Sequence, residues 1–189
     1  MLIETAMPTF DAVVTEHTVV AADPETVFRA ARSLDFLTVR TPLATASMWL
    51  RALPQHIPGR RHRRAAVPQR LALDTGMSLP GWLVLGERNG REIAFGAVGR
   101  FWRPTIEWLD VPAAEFPAFD EPGWGKIAAN FSVRPYGEQT LLTYECRTTT
   151  TDPASRRRFL RYWWLIRPFV GHIMRATLAK IAADVQSAS

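Results

Sequence analysis

The sequence predicts an α+β domain in which a curved antiparallel sheet wraps around one long C-terminal helix. Three observations carry this expectation. Residues 152–189 keep a helical apolar spacing, with Phe159, Trp163, Ile166, Val170, Ile173, Thr177, Ile181 and Val185 on one stripe. Strand patterns are grouped in the middle of the chain and helical patterns lie towards its ends. Two hairpin signals, Asn89-Gly90 and Tyr136-Gly137-Glu138-Gln139, join neighbouring strands.

Taken in order, residues 11–21 read as a strand, rich in the β-branched Val13, Val14, Thr15, Thr18, Val19 and Val20. Asp23-Pro24-Glu25 then opens a short helix that runs to about Ser33: Asp is a helix cap, and Pro suits the first turn. A second short helix is expected from Pro42 to Leu53, ended by Pro54 and Pro58. Residues 55–70 read as a mobile basic loop containing Arg60, Arg61, Arg63 and Arg64. Strands follow at 82–88 and 91–102 around Asn89-Gly90, with a two-residue turn placing Trp82, Val84, Ile93 and Phe95 on the interior face. A short strand near Ile106–Leu109 leads into a Pro-stiffened loop over 104–123 with Phe116 and Phe119. Strands 124–135 and 140–151 form the second hairpin. Asp152-Pro153 repeats the cap-and-proline start for the terminal helix, which Pro168 is expected to kink near Ile166-Arg167.

The 189 residues suit one domain spanning 1–189, with an ordered core over about 10–186. No apolar run has membrane-spanning length, and Met1–Phe10 carries Glu4 without a basic-then-apolar pattern, so a cytoplasmic location is expected. The single Cys146 allows no internal disulfide. The net charge of +5 is almost all arginine and comes with no nucleic-acid motif; such a surface can attract nucleic acid or anionic lipid, but solvated helix faces account for it more simply, and a nucleic-acid partner is not expected.

Few motifs carry chemistry. Gly76-Met77-Ser78-Leu79-Pro80-Gly81 precedes a strand instead of following one, which rules out a nucleophile elbow. His17, His56, His62 and His172 lack metal spacing, and no metal or cofactor is expected. Gly96-Ala97-Val98-Gly99 sits inside a strand pattern and reads as sheet bending or close approach. In 140–151, alternation puts Thr143, Glu145 and Arg147 on one face and Leu142, Tyr144, Cys146 and Thr148 on the other. The apolar set suits the helix and sends the charged set to solvent. Turned inward, Glu145 would be a candidate acid or base with a pKa raised by burial.

Several strings in their order resemble the START-like, SRPBCC (helix-grip) superfamily. They are Ala22-Asp23-Pro24-Glu25-Thr26-Val27-Phe28, Gly99-Arg100-Phe101-Trp102, Phe116…Phe119…Pro122-Gly123, Thr143-Tyr144-Glu145-Cys146-Arg147 and Phe159…Tyr162-Trp163…Ile166-Arg167-Pro168. The resemblance is to a group of bacterial proteins within that superfamily and is poorest over about 38–79. It implies binding of a small hydrophobic or amphipathic molecule between sheet and helix. A strongly curved sheet and one kinked helix cannot meet closely along their full length, so space is expected at one end, lined by Trp82, Phe95, Phe101, Phe131 and Tyr144 with Phe159, Trp163 and Ile166, and closed at its mouth by Phe116 and Phe119. The superfamily also contains polyketide cyclases and dehydratases, for which Glu145, Arg147, Tyr144 and Arg100 are the catalytic candidates here. A third possibility is a membrane-surface module using Arg60–Arg64 and the basic helix face.

Overall fold

The computed structural model describes residues 1–39, 73 and 81–187; the helix expected at 42–53 and the basic loop at 55–70 lie outside them. The described elements are α1 (Leu2–Ala6), β1 (Ala12–Val20), α2 (Pro24–Ser33) with a 3-10 turn at Phe36–Thr38, β2 (Trp82–Arg88), β3 (Glu92–Gly99), β4 (Trp108–Leu109), β5 (Gly125–Tyr136), β6 (Gln139–Thr150) and α3 (Pro153–Ser187). The strands form one sheet in the order β1-β6-β5-β3-β2, with β4 added to β3, and every pairing is antiparallel. With α2 and α3 on one face, this is the helix-grip α+β architecture.

Both hairpins form, by different turns from one another. Tyr136 pairs Gln139 across Gly137-Glu138, with Gly137 at φ 62, as a turn with glycine in its first central position requires. At the other hairpin Arg88 pairs Glu92, so three residues form the loop instead of two. Only Gly90 has positive φ there, whereas the expected type I′ turn needs it at both central residues. A bulge between Val84 and Gly86 takes up the extra residue and restores the register Trp82↔Ala97 and Val84↔Phe95. Trp82, Val84, Ile93 and Phe95 therefore do face inward.

The helix caps follow the sequence. Asp23 Oδ1 accepts the Thr26 N–H at 3.0 Å. Asp152 Oδ1 accepts the N–H groups of Ala154 at 2.8 Å and Ser155 at 2.9 Å, and its Oδ2 accepts that of Gly123 at 2.7 Å. Hydrogen bonding from Ser155, then from Gly123, lowers the Asp152 carboxyl from its ordinary 3.8 to about 2. A depressed folded-state pKa gives stability that is present above the unfolded value and lost as pH falls through the folded one. The difference in melting temperature between the parent and Asp152→Ala should thus be nearly constant above pH 4, shrink as pH falls from 4 towards 2, and be lost only below pH 2. A pH-independent difference would show that the carboxylate is not what starts α3.

α3 continues as helix from Pro153 to Ser187 with Pro168 inside it. Pro168 and Trp164, whose carbonyl loses its helical donor, are both exposed, where water can serve that oxygen. The helix-facing core joins Val27, Phe28 and Ala31 of α2, Ile93, Phe95, Ala129, Phe131 and Leu142 of the sheet, and Leu178, Ile181 and Val185 of α3. The stripe read from the sequence drifts along the helix. Gly171, Met174 and Leu178 join its buried side, and Ile173 is only half-buried.

The outer face of the sheet is covered as well. Ile3, Ala6 and Met7 pack there with Val98, Phe116 and Ala128, and every residue of β3 is buried. A Cβ on Gly96 would lie 3.1 Å from the Phe116 ring, so the missing side chain makes the seat for that ring.

Candidate ligand-binding face between sheet and helix

The inner side of the sheet carries a connected aromatic surface. Tyr144 lies 4.4 Å from Phe131 between ring centroids, and Phe131 lies 5.9 Å from Phe95. Phe95 meets Trp82 at 6.1 Å, and Trp82 meets Trp108 at 5.9 Å. Trp108 belongs to a second cluster under the start of α3, where Phe101 meets Phe159 at 6.0 Å and Phe159 meets Trp163 at 5.7 Å. Strand alternation delivers this surface: Trp82, Phe95, Phe131 and Tyr144 all sit at inward registers of four neighbouring strands. Gly125 admits Phe101, whose ring would be 2.6 Å from a Cβ there.

α3 is buried unevenly along its length. Phe159 is buried at one end and Gly171, Met174, Leu178, Ile181 and Val185 at the other. From Leu160 to Val170, about three turns, no residue is fully buried. Tyr162, Trp163, Ile166 and Val170 are half-buried on the sheet side of that stretch. Tyr144, Cys146, Trp82, Trp108 and Ile127 beneath are half-buried too. Surrounding protein pushes the Tyr144 phenol well above its ordinary range and the Cys146 thiol up to about 12, the latter helped by the negative charge of Glu145. Both side chains are thus enclosed without being fully covered.

Gly171 lies against β1: a Cβ there would lie 3.2 Å from Glu16 Oε1 and 3.9 Å from Val14. Beside it an open groove of about 470 Å³ runs between the edge strand and the helix, lined by Val14, Thr15, Glu16, Arg167, Pro168 and Arg175 among others. Arg175 closes over it onto Glu16 at 2.6 Å.

Two aromatic residues expected at the mouth are elsewhere. Phe116 is completely buried on the outer face, with Phe119 packed beside it, so neither closes a space under α3. Lys126 Nζ holds their loop there, donating to the Phe116 and Pro117 carbonyls at 3.2 and 3.0 Å. The acid–base candidates also divide. Glu145 and Arg147 face outward, as the alternation suggested, but α1 and its following segment cover them, so the expected solvent exposure is not found. Arg147 Nε donates to Glu145 Oε1 at 2.5 Å, its Nη1 to the Met7 carbonyl at 2.9 Å, and its guanidinium lies 4.8 Å from the centre of the Phe10 ring. Arg100 is tied to Glu107 at 3.0 Å and to the Gly123 carbonyl at 2.9 Å. Tyr144 alone of the four candidates lies on the inner face.

Sequence reading missed the polar cluster beneath α1. Glu92, buried, accepts the Leu2 N–H with both oxygens at 2.9 Å and the Asn130 side-chain amide at 2.7 Å. These partners lie 38 and 90 residues from it in sequence, and no local pattern signals them. Among the described residues, no group of three or more His, Cys, Asp or Glu is placed to hold a metal ion.

Comparison with known proteins adds similarity of a distant kind. No protein-family model matches the chain, and no curated protein sequence matches it significantly. A solved structure from Nitrosospira multiformis aligns over 92% of this chain and 96% of its own at 13% identity and a TM-score of 0.42. One from Chromobacterium violaceum aligns over 95% and 98% at 16% identity and a TM-score of 0.38. The protein Ara h 8.0201 aligns over 91% and 98% at 10% identity and a TM-score of 0.36. Similarity at this level assigns neither family nor ligand.

Proposed function

We propose that the protein binds a small hydrophobic or amphipathic molecule between the inner face of the sheet and α3. One observation supports this most: over Leu160–Val170 no residue of the helix is fully buried, and Tyr144, Cys146 and Trp163 are only half-buried. Space lined by large apolar groups with a few polar ones is what such ligands need. The Tyr144 hydroxyl, neutral at physiological pH, supplies a donor or acceptor for a polar end. The groove along β1 lies at the edge of the same helix–sheet layer, with the Glu16–Arg175 pair across it. The START-like resemblance points the same way, since members of that superfamily hold apolar guests in this position.

Carriage or sequestration fits better than catalysis. Glu145 and Arg147 neutralise one another on the far side of the sheet, and Arg100 is occupied by Glu107, which leaves the inner face without a charged acid–base pair from these candidates.

The test is native mass spectrometry of the purified protein, with an apolar fluorophore displaced by candidate lipids. A co-purifying apolar molecule and saturable fluorophore binding are expected. Cys146→Phe, which fills the space beside Tyr144, should lower that binding at least tenfold while the protein still melts cooperatively. Undiminished binding in a folded Cys146→Phe protein would place the guest elsewhere, and failure to bind any apolar probe would end the proposal.

A further inference from the structure

The outward face of the first half of α3 is not used by the fold. Trp164 is 83% exposed, Leu165 52% and Leu160 40%, although a monomer gains nothing by presenting an indole to water. Arg157, Arg158, Arg161 and Arg167, all exposed, surround them. The other basic residues of the helix are neutralised: Arg156 pairs with Asp11, Arg175 with Glu16 and Lys180 with Asp184. These four arginines have no carboxylate partner among the described residues, and the sequence contains no Asp or Glu from Pro153 to Ala183. Helical spacing mixes the two sets, with Arg157 and Arg161 one turn apart beside Leu160 and Trp164.

We propose that this face docks the protein on an anionic phospholipid bilayer. An interfacial helix needs Trp and Leu to enter the headgroup boundary and unpaired cations to meet lipid phosphates, and this surface supplies both on one side. A nucleic acid would use the arginines but leave Leu160 and Leu165 unexplained. Apart from Arg167, which also lines the groove along β1, the surface is separate from the inner face, so the inference stands whatever that face binds. No helix among the described residues is long and apolar enough to cross a membrane, so the attachment is peripheral.

Flotation of the full chain with vesicles tests this, using phosphatidylcholine alone and phosphatidylcholine with one third phosphatidylglycerol. Binding is expected only to the anionic vesicles and should fade at roughly 1 M salt, where screening acts within about 3 Å. Each Arg→Gln change at Arg157, Arg158, Arg161 or Arg167 should weaken partitioning about fivefold. Trp164→Ala with Leu165→Ala should weaken it about tenfold or more, with the melting temperature unchanged. Equal binding to both vesicle types, no binding to either, or unaltered binding by these variants overturns the proposal. So does a light-scattering mass of two copies that Trp164→Ala returns to one, which would make the patch a contact between copies of this chain.

Discussion

Phe131→Ala is expected to lower the unfolding free energy by about 3–5 kcal/mol. The ring is completely buried and is the common neighbour of Phe36, Phe95 and Tyr144, at 6.1, 5.9 and 4.4 Å between centroids. Its loss opens a hole on the inner face next to half-buried groups, and the flanking strand pairings prevent the sheet from collapsing into it. Urea denaturation with an unchanged m-value would measure the loss directly. The same measurement on Trp164→Ala should differ from the parent by less than about 0.5 kcal/mol, since that side chain packs against little. A loss below about 1 kcal/mol for Phe131→Ala would mean that the inner face is not a packed surface around this ring.

Arg147→Met should cost about 3 kcal/mol by leaving Glu145 without its cation. The two side chains are 10% and 13% exposed, so neither is well hydrated, and the small remaining exposure sets the expectation at the lower end for a broken buried pair. The variant also frees the Met7 carbonyl, which should speed amide exchange across the first ten residues. Adding Glu145→Gln to Arg147→Met removes the stranded charge and should recover more than half of the loss. Additive losses in the double variant would show that the two groups do not act as a pair.

What could be read from the sequence and what could not divide along the range of the interactions. The helix starts were legible because a cap is local: Asp23 and Asp152 bond to N–H groups two or three residues away. The inward set on β6 was legible because strand alternation has a strict period of two. The facing of β2 was read correctly from a turn that does not form. A three-residue loop shifts the register by one and the bulge at Leu85 shifts it back. The fate of the outward faces was not legible. Charged residues on one side of a strand suggest water, but Leu2 reaches Glu92 across 90 residues and Met7 reaches Arg147 across 140. Phe116 went to the wrong side in the sequence reading for a similar reason. Its position depends on Gly96, a residue twenty places earlier that reads locally as a bend. For the candidate site, the aromatic residues of β2, β3, β5 and β6 were found together.

The placement of Cys146 has a consequence for chemistry with oxidants. It is the chain's one sulfhydryl, and burial pushes its pKa up to about 12, so the nucleophilic thiolate is scarce at neutral pH. Sulfenic acid formation, glutathionylation and disulfide-linked dimers all begin from that anion. Oxidation that begins at the Cys146 thiolate is therefore expected to be slow in the folded protein.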